Sequence, residues 1–267
     1  MTFRTKKTTG HRIKKSFGQN FLTDLLIKDR IISSCDLHED DIVLEIGPGE
    51  GAITELIAPR VKKVIAIEAD KDLIKPLQKK FAGTNVEIIF SDILTYNLTE
   101  LPDNVKIISN LPYNIATPII ENVIQFKHKF TEFYMTVQLE YGQRLIAKPD
   151  TKSYGSLSCF IQYHSDIELL FKISNKAFTP QPKVQSCFLK MTLLHKPKQE
   201  IKDEKFLFGI IKSAFNQRRK TLSNALAPIL DKDDLKKAIL KLKIDPLKRA
   251  ENISLIEYIN LSNTLKT

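Results

Sequence analysis

Asn110-Leu111-Pro112-Tyr113 brings an amide, a stiffened turn and an aromatic ring together within one short stretch. The chemistry this pattern suits is work on an exocyclic aromatic amine. Such a nitrogen is a poor nucleophile, because its lone pair is delocalised into the ring. An amide oxygen and a backbone carbonyl that accept its N–H groups pull it toward tetrahedral geometry and release the lone pair. Proline keeps the carbonyls aimed, and the tyrosine offers a face on which an extruded base can stack. A strand-ending turn with a core tyrosine would carry the same residues.

A second group of residues suits a nucleoside-bearing cofactor. In Glu45-Ile46-Gly47-Pro48-Gly49-Glu50-Gly51 the glycines alternate. They allow a sharp turn and close approach of backbone to ligand, with a helix N-terminus beneath it. The spacing is G-x-G-x-G and lacks the last interval of the dinucleotide fingerprint. About 20 residues on, Glu68 ends the next strand, where a carboxylate can accept from both ribose hydroxyls. Asp92 ends the strand after that and is placed to bind an adenine amine or to cap a helix.

These residues need a frame that brings strand ends together. Ile42–Leu44, Val64–Ile67, Val86–Phe90 and Val105–Ile108 each read as strands, with further candidates at Glu132–Val137, Cys159–His164 and Val184–Leu194. Near-continuous apolar runs between helices predict an α/β fold with a parallel sheet covered on both faces. Asp70 predicts a helix cap, and Thr117 before Pro118 predicts another. From Lys196 the texture changes to helical periodicity alone, over Phe206–Phe215, Asp233–Leu242 and Ser254–Leu265, the last opened by a Ser254/Glu257 capping box. Two domains are expected, 1–195 and 196–267, the second all-helical.

The chain has 267 residues, 42% hydrophobic and 27% charged, the balance of an ordinary globular protein. Cys35, Cys159 and Cys187 form no C-x-x-C pair, so neither a metal site nor a disulfide framework is expected, and an intracellular setting is. No apolar run is long enough to span a bilayer. The net charge is +10. Arg4, Lys6, Lys7, Arg12, Lys14 and Lys15 all precede the first acidic residue, Asp24, and Arg218-Arg219-Lys220 forms a second cluster. Both fit a phosphate backbone, although a solvated tail or helix end has the same composition.

The order of motifs resembles the ribosomal RNA adenine dimethyltransferases. Lys15 to Leu22 resembles their opening motif, Leu44 to Gly49 their cofactor loop and Asn110 to Ile115 their catalytic loop. Tyr154 to Ser158 and Phe178 to Ser186 resemble two later signatures. The resemblance covers roughly residues 12 to 225. It implies a Rossmann-like class I methyltransferase sheet with a small helical C-terminal domain. S-adenosyl-L-methionine is implied as cofactor, held by Asn20, Leu22, Gly47, Glu68, Asp92 and Asn110. Asn110, Leu111 and Tyr113 are implied to grip the target base, with Phe178 on its other face unless it is a core aromatic. Lys14, Lys15, Arg218, Arg219 and Lys220 would meet RNA. The resemblance is nearest to the branch that dimethylates two adjacent adenosines near the 3′ end of small-subunit rRNA. That branch implies a cytoplasmic protein acting on the pre-30S particle, and a monomer is the default expectation. A large-subunit rRNA methylase of the macrolide-resistance type usually has isoleucine where Leu111 stands, and DNA adenine methyltransferases carry two prolines in the turn. A binding role in ribosome assembly or transcription would need no intact cofactor crevice. Phe17, Phe21, Tyr141 and Tyr154 are expected in the core, and Arg144 either meets RNA or pairs within its helix.

Overall fold

The computed structural model describes residues 19–266. Lys14, Lys15 and Phe17 lie outside the described residues. The strands are β1 (Phe21–Leu22), β2 (Ile42–Ile46), β3 (Lys63–Glu68), β4 (Val86–Phe90), β5 (Val105–Asn110), β6 (Phe130–Gln138), β7 (Ser165–Ile173), β8 (Phe178–Thr179) and β9 (Ser186–Leu193). The helices are α1 (Leu25–Ser34), α2 (Thr54–Ile57), α3 (Lys71–Lys80), α4 (Ala116–Gln125), α5 (Leu139–Leu145) and α6 (Ser156–His164). They are followed by α7 (Glu204–Asn216), α8 (Leu222–Leu226), α9 (Lys232–Lys241) and α10 (Leu255–Leu265).

Seven strands form one sheet in the order β4-β3-β2-β5-β6-β9-β7, and β1 pairs with β8 in a separate antiparallel ribbon. The pairs β4–β3, β3–β2, β2–β5 and β5–β6 are parallel, whereas β9 runs antiparallel to β6. The expected parallel sheet is therefore mixed at one side. Val43, Leu44, Val64 and Ile107 are buried to within 0% exposure. Each contributes roughly 1.5–3 kcal/mol by leaving water. From β2 the chain steps outward through β3 and β4, then returns to β5 on the other side of β2. This reversal opens a crevice outside the carboxyl ends of β2 and β5.

Local signals formed where nearby side chains suffice. Asp70 accepts from the Asp72 amide and caps α3. Ser254 and Glu257 make both bonds of the capping box on α10. Thr117 is not a cap: α4 begins at Ala116 with Ile115 ahead of it. Cys159–His164 is helix and not strand. Its apolar run serves either form, and the Ser158 hydroxyl, accepting from the Gly155 amide, starts the helix.

The chain divides into two compact units, 19–139 with 170–193, and 140–169 with 194–266. The second crossing falls between Leu193 and Leu194, and the smaller unit also takes in 140–169. Tyr154, Cys159 and Tyr163 share a core with Leu207, Ile211 and Tyr258, and the Cys159 thiol lies 3.1 Å from the Tyr154 hydroxyl. A helical domain without these residues would leave that core open. Tyr154 is core, as expected.

Candidate active site

The tips of β2, β3 and β5 are level, because Ile46 pairs with Ile67 on one side and Ser109 on the other. The Ser109 hydroxyl locks the register by donating to the Ile46 carbonyl at 2.7 Å. Beyond these tips lies a cavity of about 390 Å³, a volume suited to a nucleoside-bearing small molecule.

Gly47, Gly49 and Gly51 hold φ values of 70°, 60° and 76°, the left-handed region that side chains disfavour. At Gly49 a Cβ would also stand 2.9 Å from the Phe21 ring. That contact makes Phe21, half-buried and on the cavity wall, a site residue and not the core residue expected. The alternating glycine is the sequence signal that a bulky group must cross there. Gly49→Ala should cost about 1–2 kcal/mol in backbone strain alone. A lower melting temperature and weaker cofactor binding are the expected readouts. An unchanged melting curve would remove the argument.

The Gly49 amide donates to Glu68 Oε2 at 3.1 Å, and the Asp70 amide donates to Oε1 at 2.8 Å. Glu68 is 7% exposed. Burial pushes its pKa up, and those two amides pull it back. Each oxygen keeps a lone pair for a hydroxyl. Gln19 donates to Asp70 at 2.9 Å, which ties the segment before β1 to the same corner. Asp92 is exposed on the cavity wall. One of its oxygens accepts from the Leu94 amide in a turn. No helix begins there, since the next helical turn, 98–100, is capped by Asn97, so Asp92 is no helix cap and its other oxygen remains available.

Asn110 ends β5. Its Nδ2 donates to the Asn20 carbonyl at 2.9 Å, which fixes the amide so that Oδ1 is the end left to accept. Leu111 is buried on the cavity wall, and its amide donates to the Thr136 carbonyl. Among the described residues the Leu111 carbonyl accepts no hydrogen bond. Tyr113 lines the same cavity and its hydroxyl lies 2.7 Å from that of Ser186. Burial raises its pKa, so it stays a neutral phenol. Asn20, Leu22, Gly47, Glu68, Asp92, Asn110, Leu111 and Tyr113 thus line one cavity.

Phe178 does not. It is 2% exposed, opposite Leu22 across the β1–β8 ribbon, and packs in the core with Tyr134 and Phe188. Its core reading prevails. Arg218 also departs from expectation. Its guanidinium donates to the Lys152 and Tyr154 carbonyls and pairs with Glu251 at 2.9 Å, so it braces its own unit. Arg219 and Lys220 are exposed. Arg144 pairs with Glu140 at 3.6 Å, one helical turn away. Among the described residues no cluster of side chains could hold a metal ion, and no helix is long and apolar enough to cross a membrane.

A sheet whose order reverses at β2, with a glycine loop, two acidic strand ends and an amide-bearing turn around one cavity, defines a class I methyltransferase. Solved structures share this fold. A dimethyladenosine transferase from Plasmodium falciparum matches at TM-score 0.79 and 23% identity, over 90% of this chain and 95% of that one. The 23S rRNA methyltransferase ErmE matches at TM-score 0.75 and 24% identity, over 93% of this chain and 100% of that one. The model of the ribosomal RNA adenine dimethylase family matches residues 10–267, and the chain belongs to that family. Two relatives are named ribosomal RNA small subunit methyltransferase A. The one from Clostridium acetobutylicum is 38% identical, covering 95% of this chain and 94% of the relative. The one from Bacillus cytotoxicus is 40% identical, covering 96% and 92%.

Proposed function

We propose that this chain is an S-adenosyl-L-methionine-dependent rRNA adenine-N6,N6-dimethyltransferase, placing two methyl groups on each of two adjacent adenosines near the 3′ end of small-subunit rRNA. The observation that carries the reading is the orientation of Asn110. Its amide nitrogen is spent on the Asn20 carbonyl, which leaves its oxygen to accept at the wall of the cavity that Glu68 and Asp92 also line.

The residues present fit the cofactor. The glycine loop admits close approach, the Glu68 oxygens keep capacity for ribose hydroxyls, and Asp92 has an oxygen for an adenine amine. When bound, the cofactor supplies an activated methyl on a sulfonium, so positioning matters more than a strong base. In the first transfer Asn110 Oδ1 accepts one N6–H of the target base and the Leu111 carbonyl accepts the other, which turns the nitrogen lone pair outward. In the second a single N6–H remains to be accepted, and each transfer releases one N6 proton to solvent. Tyr113, neutral and tethered to Ser186, supports the base from its face. Asn20 serves by its carbonyl, Leu22 and Gly47 by shaping the wall. The preference for small-subunit RNA rests on the relatives near 40% identity, since the likeness to the large-subunit enzyme is one of fold.

Incubating purified protein with undermethylated small subunits and labelled cofactor, then mapping N6,N6-dimethyladenosine by mass spectrometry, tests the reading. Label at adjacent adenosines near the 3′ end of small-subunit rRNA supports it, and label in large-subunit rRNA alone rejects it. The reading carries a monomer acting in the cytoplasm on a pre-30S particle. Arg219 and Lys220, with Lys14 and Lys15 of the N-terminal segment, supply phosphate contacts. Replacing Arg219 and Lys220 with alanine should lower the slope of log affinity against log salt by about one per lost contact. A filter-binding series with unchanged slope would remove them from the RNA surface.

A further inference from the structure

Glu45 is a buried carboxyl for which the proposed transfer has no use. It lies near the end of β2, is 3% exposed and lines the cavity. Thr54, fully buried at the start of α2, donates to its Oε2 at 2.6 Å. That is the only hydrogen bond its carboxyl makes among the described residues. The charges that face it come from neighbouring elements. Glu68 on β3 opposes its ionisation and Lys80 on α3 favours it. Lys80 is engaged elsewhere, bonded to the Glu50 carbonyl at 2.7 Å and to Glu55 at 3.0 Å. The other ionisable side chains on the cavity wall are Lys28, Glu50, Asp92 and Tyr113, and no histidine or cysteine lines it. Burial, only partly offset by Thr54, pushes the Glu45 pKa up to about 7.

A carboxyl held this way has no cation of its own, and the cavity is where one arrives. On the function proposed above, the donor carries a fixed positive charge on sulfur and the product left after transfer does not. We propose that Glu45 reads this difference, releasing a proton to solvent when the sulfonium enters and keeping it when the neutral thioether occupies the same place. Glu45 is thus a specificity-determining residue, favouring donor over spent product more strongly as pH rises. The sign follows from linkage: below the free-state pKa, binding the cation requires removing a proton first, so donor affinity falls with pH. Above it, donor affinity is level.

Calorimetry on the full-length chain tests this with S-adenosyl-L-methionine and S-adenosyl-L-homocysteine. Titrations at pH 6 and 8, in buffers of different ionisation enthalpy, count protons directly. The donor should release up to one proton at pH 6, and its affinity should fall by up to about tenfold from pH 8 to pH 6. The thioether should release fewer and change by less than about twofold. Glu45→Gln keeps the size of the side chain and should abolish the proton release and narrow the donor-to-thioether ratio at pH 8. Equal proton release for both ligands overturns the proposal, as does release that persists in a folded Glu45→Gln. Should that variant not fold, the wild-type comparison of the two ligands still decides. If neither ligand binds at either pH, the cofactor assignment fails with it, whereas binding without proton release sinks the Glu45 proposal alone.

Discussion

Asn110→Ala should reduce methyl transfer by roughly 10²–10³-fold or more, the scale of losing one preorganised hydrogen-bond partner of a transition state. The cause is local. Asn110 Oδ1 is the side-chain acceptor at the tip of β5, and the Asn20 carbonyl holds the amide in the orientation that presents it. Alanine removes the acceptor and leaves the Asn20 carbonyl without its donor. Asn110→Asp separates these effects: it keeps an oxygen in place but cannot donate to Asn20, so the group loses its aim. Both variants should bind RNA at close to wild-type affinity, because phosphate contacts set that term and lie elsewhere. Single-turnover transfer of labelled methyl, beside filter binding, measures both. Normal turnover in Asn110→Ala would overturn the role assigned to the turn.

Glu68→Ala should weaken cofactor binding by about 1–3 kcal/mol, a rise in Kd of about 5-fold to 150-fold. Two losses add. The ribose hydroxyls lose their acceptor, and the Gly49 and Asp70 amides, at 3.1 and 2.8 Å, lose theirs. The second loss loosens the glycine loop before any ligand arrives. Calorimetry with S-adenosyl-L-homocysteine gives the affinity, and thermal unfolding of the ligand-free variant reports the loop. Unchanged affinity would move the ribose away from β3.

Much of the site was legible because it is written at strand ends. A strand, a glycine turn and a helix follow one another within about a dozen residues, and the next strand ends in an acid. Register then aligns those ends without further instruction, as the Ile46 pairings with Ile67 and Ser109 demonstrate. Phe21 was misread because an aromatic beside a leucine looks like core. Only the missing Cβ at Gly49, 28 residues later in the chain, reveals what its ring covers. Phe178 stayed open between two readings: proline-flanked aromatics serve pockets and cores alike, and here the β1–β8 pairing draws it inward.

By itself the sequence determined the features that depend on neighbours a few residues apart. These are the strand and helix periodicities, the caps at Asp70 and Ser254, the left-handed glycines and the motif order that marks the family. The tertiary structure decided which distant side chains meet. It set Asn20 against Asn110, Thr54 against Glu45 and Glu251 against Arg218. It also made 156–164 a helix and joined 140–169 to the C-terminal helices. The physical reason is that a short apolar run, or a lone polar side chain, has several satisfied states of similar energy. Burial and hydrogen-bond partners supplied by remote segments select one of them.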